Sequence, residues 1–72
     1  MATYNIYKKT ENDYELIKSL INDTLLNAIA EVYKFYNDPN FAIIPNDTKD
    51  AIIIRFDDPT KSKFYITNDT LN

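Results

Sequence analysis

The chain lacks four residue types that carry much of protein chemistry: its 72 residues include no cysteine, histidine, glycine or tryptophan. Without cysteine and histidine there is no disulfide, no thiolate or imidazole metal ligand, and no triad or nucleophile built on either residue. Without glycine, the phosphate-binding loops GxGxxG and GxxxxGK[ST] are excluded. We therefore expect a protein with no catalytic residues and no cofactor.

Charge and hydropathy narrow the class further. Eleven acidic and eight basic residues give a net charge of −3. Counterion release would therefore contribute little to binding nucleic acid. No apolar run approaches the length of about 18 residues that spans a bilayer. The segment Met1–Thr10 has two lysines but no apolar centre, unlike a signal peptide. We expect a single cytoplasmic domain over residues 1–72, without membrane attachment.

The first half of the sequence predicts a short strand and then a long helix. Tyr4 and Ile6 alternate within Thr3–Lys8, which favours a strand. From Asp13 to Asn37 a helix about 37 Å long is predicted, with Asn12 as its N-cap. Its apolar stripe recurs at steps of three or four: Tyr14, Ile17, Ile21, Leu25, Ala28, Val32, Phe35 and Tyr36. The run Asn22-Asp23-Thr24 has poor helix propensity and could bend or break this helix.

The second half predicts strands separated by polar turns: Phe41–Ile44, Ala51–Phe56 and Lys63–Thr67. Period-two alternation directs one set of apolar residues to the helix: Ile52, Ile54, Phe56, Phe64 and Ile66. The opposite set is Ile53, Arg55, Tyr65 and Thr67. The predicted fold is therefore α+β in two layers, one long helix on a three- to four-stranded antiparallel sheet, with the N-terminal segment as a fourth strand or a flap.

Carboxylates gather in the predicted turns, at Asp47, Asp50, Asp57 and Asp58. Oxygen-only clusters can bind calcium or magnesium. However, Asp47 and Asp57 stand at opposite ends of a strand about 20 Å long, so they do not converge on one ion. We predict no metal site.

The predicted helix has more apolar surface than one sheet can cover. Leu16, Leu20, Leu26 and Tyr33 lie outside the main stripe. A helix that is apolar on more than one face is buried on more than one face. These four residues are therefore the predicted seam for a partner or a second copy, unless the N-terminal segment folds over them.

A protein-binding role follows from these features. The turn carboxylates, together with Tyr65 and Arg55 on the outer sheet face, would dock onto a basic site of a larger protein. In size, acidity, lack of cysteine and single-domain organisation, the chain resembles the phage-encoded anti-CRISPR inhibitors. No motif carries this resemblance, so no site residues transfer from it. It implies an inhibitor that occludes a nucleic-acid-handling surface, its partner being a bacterial defence nuclease or effector complex.

Two other functions stay open at this point. One is a homodimeric structural or regulatory subunit that joins through Leu16, Leu20, Leu26 and Tyr33. The other is a nucleic-acid-binding module whose basic and aromatic sheet face consists of Arg55, Lys61, Lys63 and Tyr65. Asp57 and Asp58 would repel phosphate there, which makes this the least favoured of the three.

Overall fold

The computed structural model describes residues 2–46 and 51–68. This part of the chain forms an α+β fold, one five-stranded antiparallel sheet with one helix packed on it. The elements are β1 (Ala2–Lys9), β2 (Tyr14–Asp23), α1 (Leu25–Tyr36), β3 (Phe41–Asn46), β4 (Ala51–Phe56) and β5 (Phe64–Asn68). The strand order is β2-β1-β5-β4-β3, so the N-terminal strand is interior and β2 and β3 are the edges.

The prediction of one long helix over 13–37 is wrong in its first half, because Tyr14–Asp23 forms β2 and pairs with β1. A tight turn closes this hairpin, in which the Thr10 N–H donates to the Asp13 carbonyl at 2.7 Å. The register shifts between Ile6 and Tyr7, opposite the segment Leu16–Lys18. This bulge interrupts the period of two, and the resulting steps of three and four imitate a helix.

The helix begins where the sequence is weakest in helix propensity. Thr24 is the N-cap, and its Oγ1 accepts a hydrogen bond from the Asn27 N–H at 3.2 Å. At the other end Asn37, at φ 56°, donates its N–H to the Tyr33 carbonyl at 2.8 Å. Asn22 also has a positive φ, 58°. In a chain without glycine, asparagine takes the left-handed positions that end β2 and α1.

The C-terminal half matches its prediction. Strands β3, β4 and β5 form the expected antiparallel meander, with Ile54 opposite Phe64 and Ile43. The N-terminal segment is a full strand that pairs with β5, with Ile6 opposite Ile66. With β2 added, the sheet has five strands rather than the three or four predicted.

The core lies between α1 and one face of the sheet. Seven buried residues form it: Ile6, Ala28, Val32, Ile54, Phe56, Phe64 and Ile66. Tyr36 closes one end of this core through edge contacts with Phe56 and Phe64, at ring separations of 5.1 and 6.0 Å. The helix α1 covers this face of the sheet. The opposite face has no described element packed on it, and we call it the open face.

Candidate binding surfaces

One row of apolar and aromatic side chains crosses the whole open face. The registers place Leu16 opposite Tyr7, Tyr7 opposite Tyr65, Tyr65 opposite Ile53, and Ile53 opposite Ile44. Opposite residues of an antiparallel pair share a face, so this row runs through all five strands. The tyrosine rings are in contact, with 6.4 Å between Tyr7 and Tyr65.

A row of cations lies beside this aromatic row. Lys9 is opposite Tyr14 on β2, and its N–H donates to the Lys63 carbonyl at 2.8 Å, which extends the β1–β5 ladder by one step. The β4–β5 pairing ends with Ile54 opposite Phe64; the next positions of the two strands are Arg55 and Lys63, which border one surface hollow. We call Lys9, Lys63 and Arg55 the cation row. None of the three forms an ion pair with a carboxylate in the part of the chain that the structure describes.

The aromatic and cation rows meet at Tyr14. Its ring centroid lies 5.5 Å from that of Tyr65, and the Lys9 Nζ lies 5.5 Å from the Tyr14 centroid. Tyr14 is 39% exposed, so part of the ring remains available to a ligand. Among the described strand positions on the far side of the aromatic row are Ser19 and Asn5, and the Ser19 hydroxyl donates to the Asn5 side chain at 2.6 Å.

The loop between β4 and β5 shapes the end of the sheet beside the cation row. Asp58 accepts hydrogen bonds from the N–H and the hydroxyl of Thr60. Lys61 reaches Asp38 at 2.6 Å, and the Ser62 N–H donates to the Tyr36 hydroxyl at 3.0 Å. The hydrogen bond from Lys61 lowers the pKa of Asp38 and, reciprocally, raises the pKa of Lys61. The loop is therefore fastened to the helix side of the sheet.

Two open hollows of about 440 Å³ each flank this loop. The first is bounded by Lys8, Lys9, Lys61 and Lys63 together with three hydroxyl residues, and Glu11 is its one carboxylate. The second is bounded by Arg55, Lys61 and Lys63, with Asp57 as its one carboxylate. Five of the eight basic residues of an acidic chain thus line neighbouring hollows at one end of the sheet.

A second feature lies on the outer edge strand β2 and the first turn of α1. Apolar side chains are exposed there, Leu16 by 51%, Ile21 by 77% and Leu26 by 74%. Ile17 on β2 and Leu25 on α1 are exposed as well, and we call the five residues the outer-edge patch. An edge strand also presents unpaired backbone N–H and C=O groups, with which a strand of another chain can form hydrogen bonds.

The predicted seam residues do not share a helix. Leu16 and Leu20 belong to β2, not to a helix, which corrects the prediction. Leu16 is on the open-face side, whereas Leu20 is partly buried against the core opposite Tyr4. Leu26 and Tyr33 do lie on α1 and are exposed. Only Leu16 and Leu26 of the four belong to the outer-edge patch.

The predicted docking residues do not lie together on one surface either. Arg55 and Tyr65 share the open face, while Asp58 is engaged with Thr60 in the loop. Asp57 is exposed beside Arg55 and Lys63 in the second hollow. Asp47 and Asp50 lie outside the described residues. The carboxylates that the structure describes therefore do not form one acidic surface with Tyr65.

Sequence reasoning missed Tyr7, Lys9 and Tyr14. The signal for the first two was the alternation Asn5, Tyr7, Lys9, which places all three on one face of a strand. Tyr14 was assigned to a helix and so was not placed beside them.

Within residues 2–46 and 51–68, no group of three or more acidic residues is arranged to hold a metal ion, and no helix is long and apolar enough to cross a membrane. No protein-family profile, curated protein or solved structure matches the chain.

Proposed function

We propose that this chain is a small non-enzymatic protein-binding protein that docks through its outer-edge patch and occludes a functional surface of a larger protein. The observation that carries the proposal is the exposure of Ile21 and Leu26, by 77% and 74%. Ile21 lies on an edge strand of ten residues that pairs with another strand on one side only. Contiguous exposed apolar surface on a small soluble domain is a feature of protein interaction sites.

The geometry also favours an extended partner segment. A strand added beside β2 would satisfy the outward backbone groups of β2, as in β-strand addition. Two register shifts interrupt this edge, one opposite Tyr7 and one near Asn22, so the regularly paired segment is Lys18–Leu20, opposite Tyr4–Ile6. Lys18 is tied to Glu31 at 3.1 Å and Ser19 donates to the Asn5 side chain at 2.6 Å, so Ile21 is the exposed apolar side chain next to this segment.

The opposite edge of the sheet supplies a matched control. Ile43 lies on β3 and is 47% exposed, so Ile43→Lys changes the same kind of residue at the other edge. We expect Ile21→Lys and Leu26→Lys to lose a specific partner in a quantitative pull-down from bacterial lysate, and Ile43→Lys to retain it. Equal capture by all four proteins would contradict docking at the outer-edge patch.

Occlusion is tested separately from binding. The captured partner's activity is assayed with wild-type protein and with Leu26→Lys, and inhibition by the first alone is the expected result. A partner that binds but keeps its full activity would overturn the inhibitory role. If the only species recovered is the chain itself at twice the monomer mass, the outer edge serves a homodimer, and Ile21→Lys should return it to a monomer.

A further inference from the structure

We propose that the open face is a second binding site, for a single-stranded nucleic acid whose phosphates lie along the cation row and whose bases stack on the tyrosines. The cation row and the tyrosines do not include Ile21 or Leu26, on which the proposed function rests, and the open face shares only Leu16 with the outer-edge patch. The inference rests on the juxtaposition of Lys9, Lys63 and Arg55 with Tyr14 and Tyr65.

The cation row is unfavourable in the free protein. Like charges placed opposite each other on neighbouring strands destabilise a sheet. Adjacent strands are about 4.8 Å apart, so the three cations follow one another over about 10 Å. No carboxylate occupies a described strand position on this face; Glu11 and Asp57 line the two hollows, and Asp13 directly precedes Tyr14 and accepts its N–H. A bound polyanion would supply the missing counter-charge.

The aromatic row decides between kinds of polyanion. Tyr7 and Tyr14 each have their ring in contact with that of Tyr65, beside the cations. Aromatic side chains next to a line of positive charge are the arrangement that binds single strands, because bases stack on rings while the backbone follows the cations. An acidic peptide would use the cations but would leave the tyrosines without a matching partner.

The net charge of −3 does not oppose this site, because the charges are segregated. Asp38 pairs with Lys61, and Asp58 is engaged with Thr60. Glu31 pairs with Lys18 and Lys34. The charges that remain on the open face at described strand positions are positive, and screening confines the effect of distant carboxylates to about 10 Å at ordinary salt.

The test is fluorescence anisotropy of a labelled oligothymidylate of about 15 nucleotides, a length that spans a single-domain site. With three phosphate contacts we expect log K against log salt to have a slope of about −2, or roughly 20-fold weaker binding between about 50 and 200 mM salt. Lys63→Gln or Arg55→Gln should each weaken binding roughly eightfold near 50 mM salt and reduce the slope by about 0.7.

Matched variants separate the site from general charge. Lys34→Gln removes the same charge from the helix, on the other side of the sheet, and should leave the affinity within about twofold. Tyr14→Leu should weaken binding roughly tenfold through lost stacking. Tyr33→Leu, at a tyrosine of 38% exposure on α1, should not. Urea midpoints show that the variants fold, and that of Lys63→Gln should be unchanged or raised.

Three results would overturn the proposal: no binding of the oligothymidylate at low salt, equal loss in Lys63→Gln and Lys34→Gln, or equally tight binding of an oligoglutamate peptide. The last result would assign the face to an acidic protein segment instead. An abasic strand of the same length that binds as tightly as the oligothymidylate would refute the stacking role of Tyr14. None of these outcomes depends on Ile21 or Leu26, so failure here is distinguishable from failure at the outer-edge patch.

Discussion

The pair Ile6→Ala and Ile21→Ala tests the placement of the N-terminal half of the chain. Ile6 is 1% exposed, paired with Ile66 and surrounded by β2, β5 and the helix. Ile21 is 77% exposed on the edge strand. The same three carbon atoms are removed in both variants, so the difference in cost measures burial alone. If residues 13–37 were one helix, Ile21 would belong to its buried stripe and the order of the two costs would reverse.

The magnitude follows from the environment of Ile6. Truncation of a buried isoleucine to alanine costs about 2 to 5 kcal/mol, and a site enclosed on three sides collapses poorly, which favours about 3 to 4 kcal/mol. Ile21→Ala should cost less than about 1 kcal/mol, the range of strand propensity at an exposed position. A 72-residue domain has roughly 4 to 11 kcal/mol of stability, so the Ile6 variant is close to unfolding.

Urea denaturation followed by circular dichroism gives both values, and an unchanged m-value confirms that the folded surface is the same. Ile6→Val, expected to cost about 1 kcal/mol, keeps the test open if Ile6→Ala does not fold. Equal costs for Ile6→Ala and Ile21→Ala, or a larger cost at Ile21, would refute the interior position of β1 and the strand assignment of β2.

Two further predictions concern the helix end and the loop. Asn37→Ala should cost about 1 kcal/mol because φ is 56° there, whereas Asn37→Gly should cost nothing, and equal urea midpoints for the two would contradict the left-handed cap. Because the Lys61 hydrogen bond lowers the folded-state pKa of Asp38 from 3.8, the stability it contributes is present above that value and is lost as pH falls through the folded pKa. Asp38→Asn should reduce the loss of folding stability at acid pH. Asp57→Asn, at a carboxylate with no ion pair to a described residue, is the control. An acid-dependent loss that Asp38→Asn leaves unchanged would contradict the pairing of Asp38 with Lys61.

The C-terminal half could be predicted from the sequence because local pattern and tertiary environment agree there. The run Ala51–Phe56 contains three successive isoleucines and is interior in the sheet, and the charged Arg55 beside Phe56 sets the parity that directs Ile52, Ile54 and Phe56 inward. The antiparallel order of β3, β4 and β5 follows from short connections.

The N-terminal half could not be predicted because one bulge hides its period. In β2, Lys18 and Leu20 face the helix while Leu16 and Ser19 face the other side, a shift of one position at Ile17. The same spacing satisfies a helical template, and Asn12 with Glu15 imitates a capping box. The cap chemistry at Thr24 allows a break, but the sequence analysis predicts one continuous helix through it, which is wrong. Nothing local to the sequence says which side of Thr24 is helical.

The candidate sites show the same division. The sequence predicts Arg55, Lys61, Lys63 and Tyr65 on one face, for the least favoured of the three functions. The strand registers place Arg55 and Tyr65 on that face, whereas Lys61 pairs with Asp38 in the loop, which corrects that part of the prediction. Lys9 and Tyr14 joined that face only through the long-range β1–β5 and β1–β2 registers. Net charge alone does not locate a binding surface, because an average over the chain carries no information about which side each charge occupies.

The β1–β5 pairing has a consequence for how the chain folds. It joins Tyr4 to Asn68 and Lys8 to Phe64, across almost the whole described chain. The hairpin of β1 and β2 and the meander of β3 to β5 each have mostly local contacts, but the core needs Ile6 and Ile66 from both. The β1–β5 pairing therefore contributes most of the contact order, and the loop-closure entropy of bringing these two strands together must be overcome before they pair. We expect folding on the millisecond-to-second scale of non-local β topologies. During synthesis, the five-stranded sheet cannot form until β5 has left the ribosome.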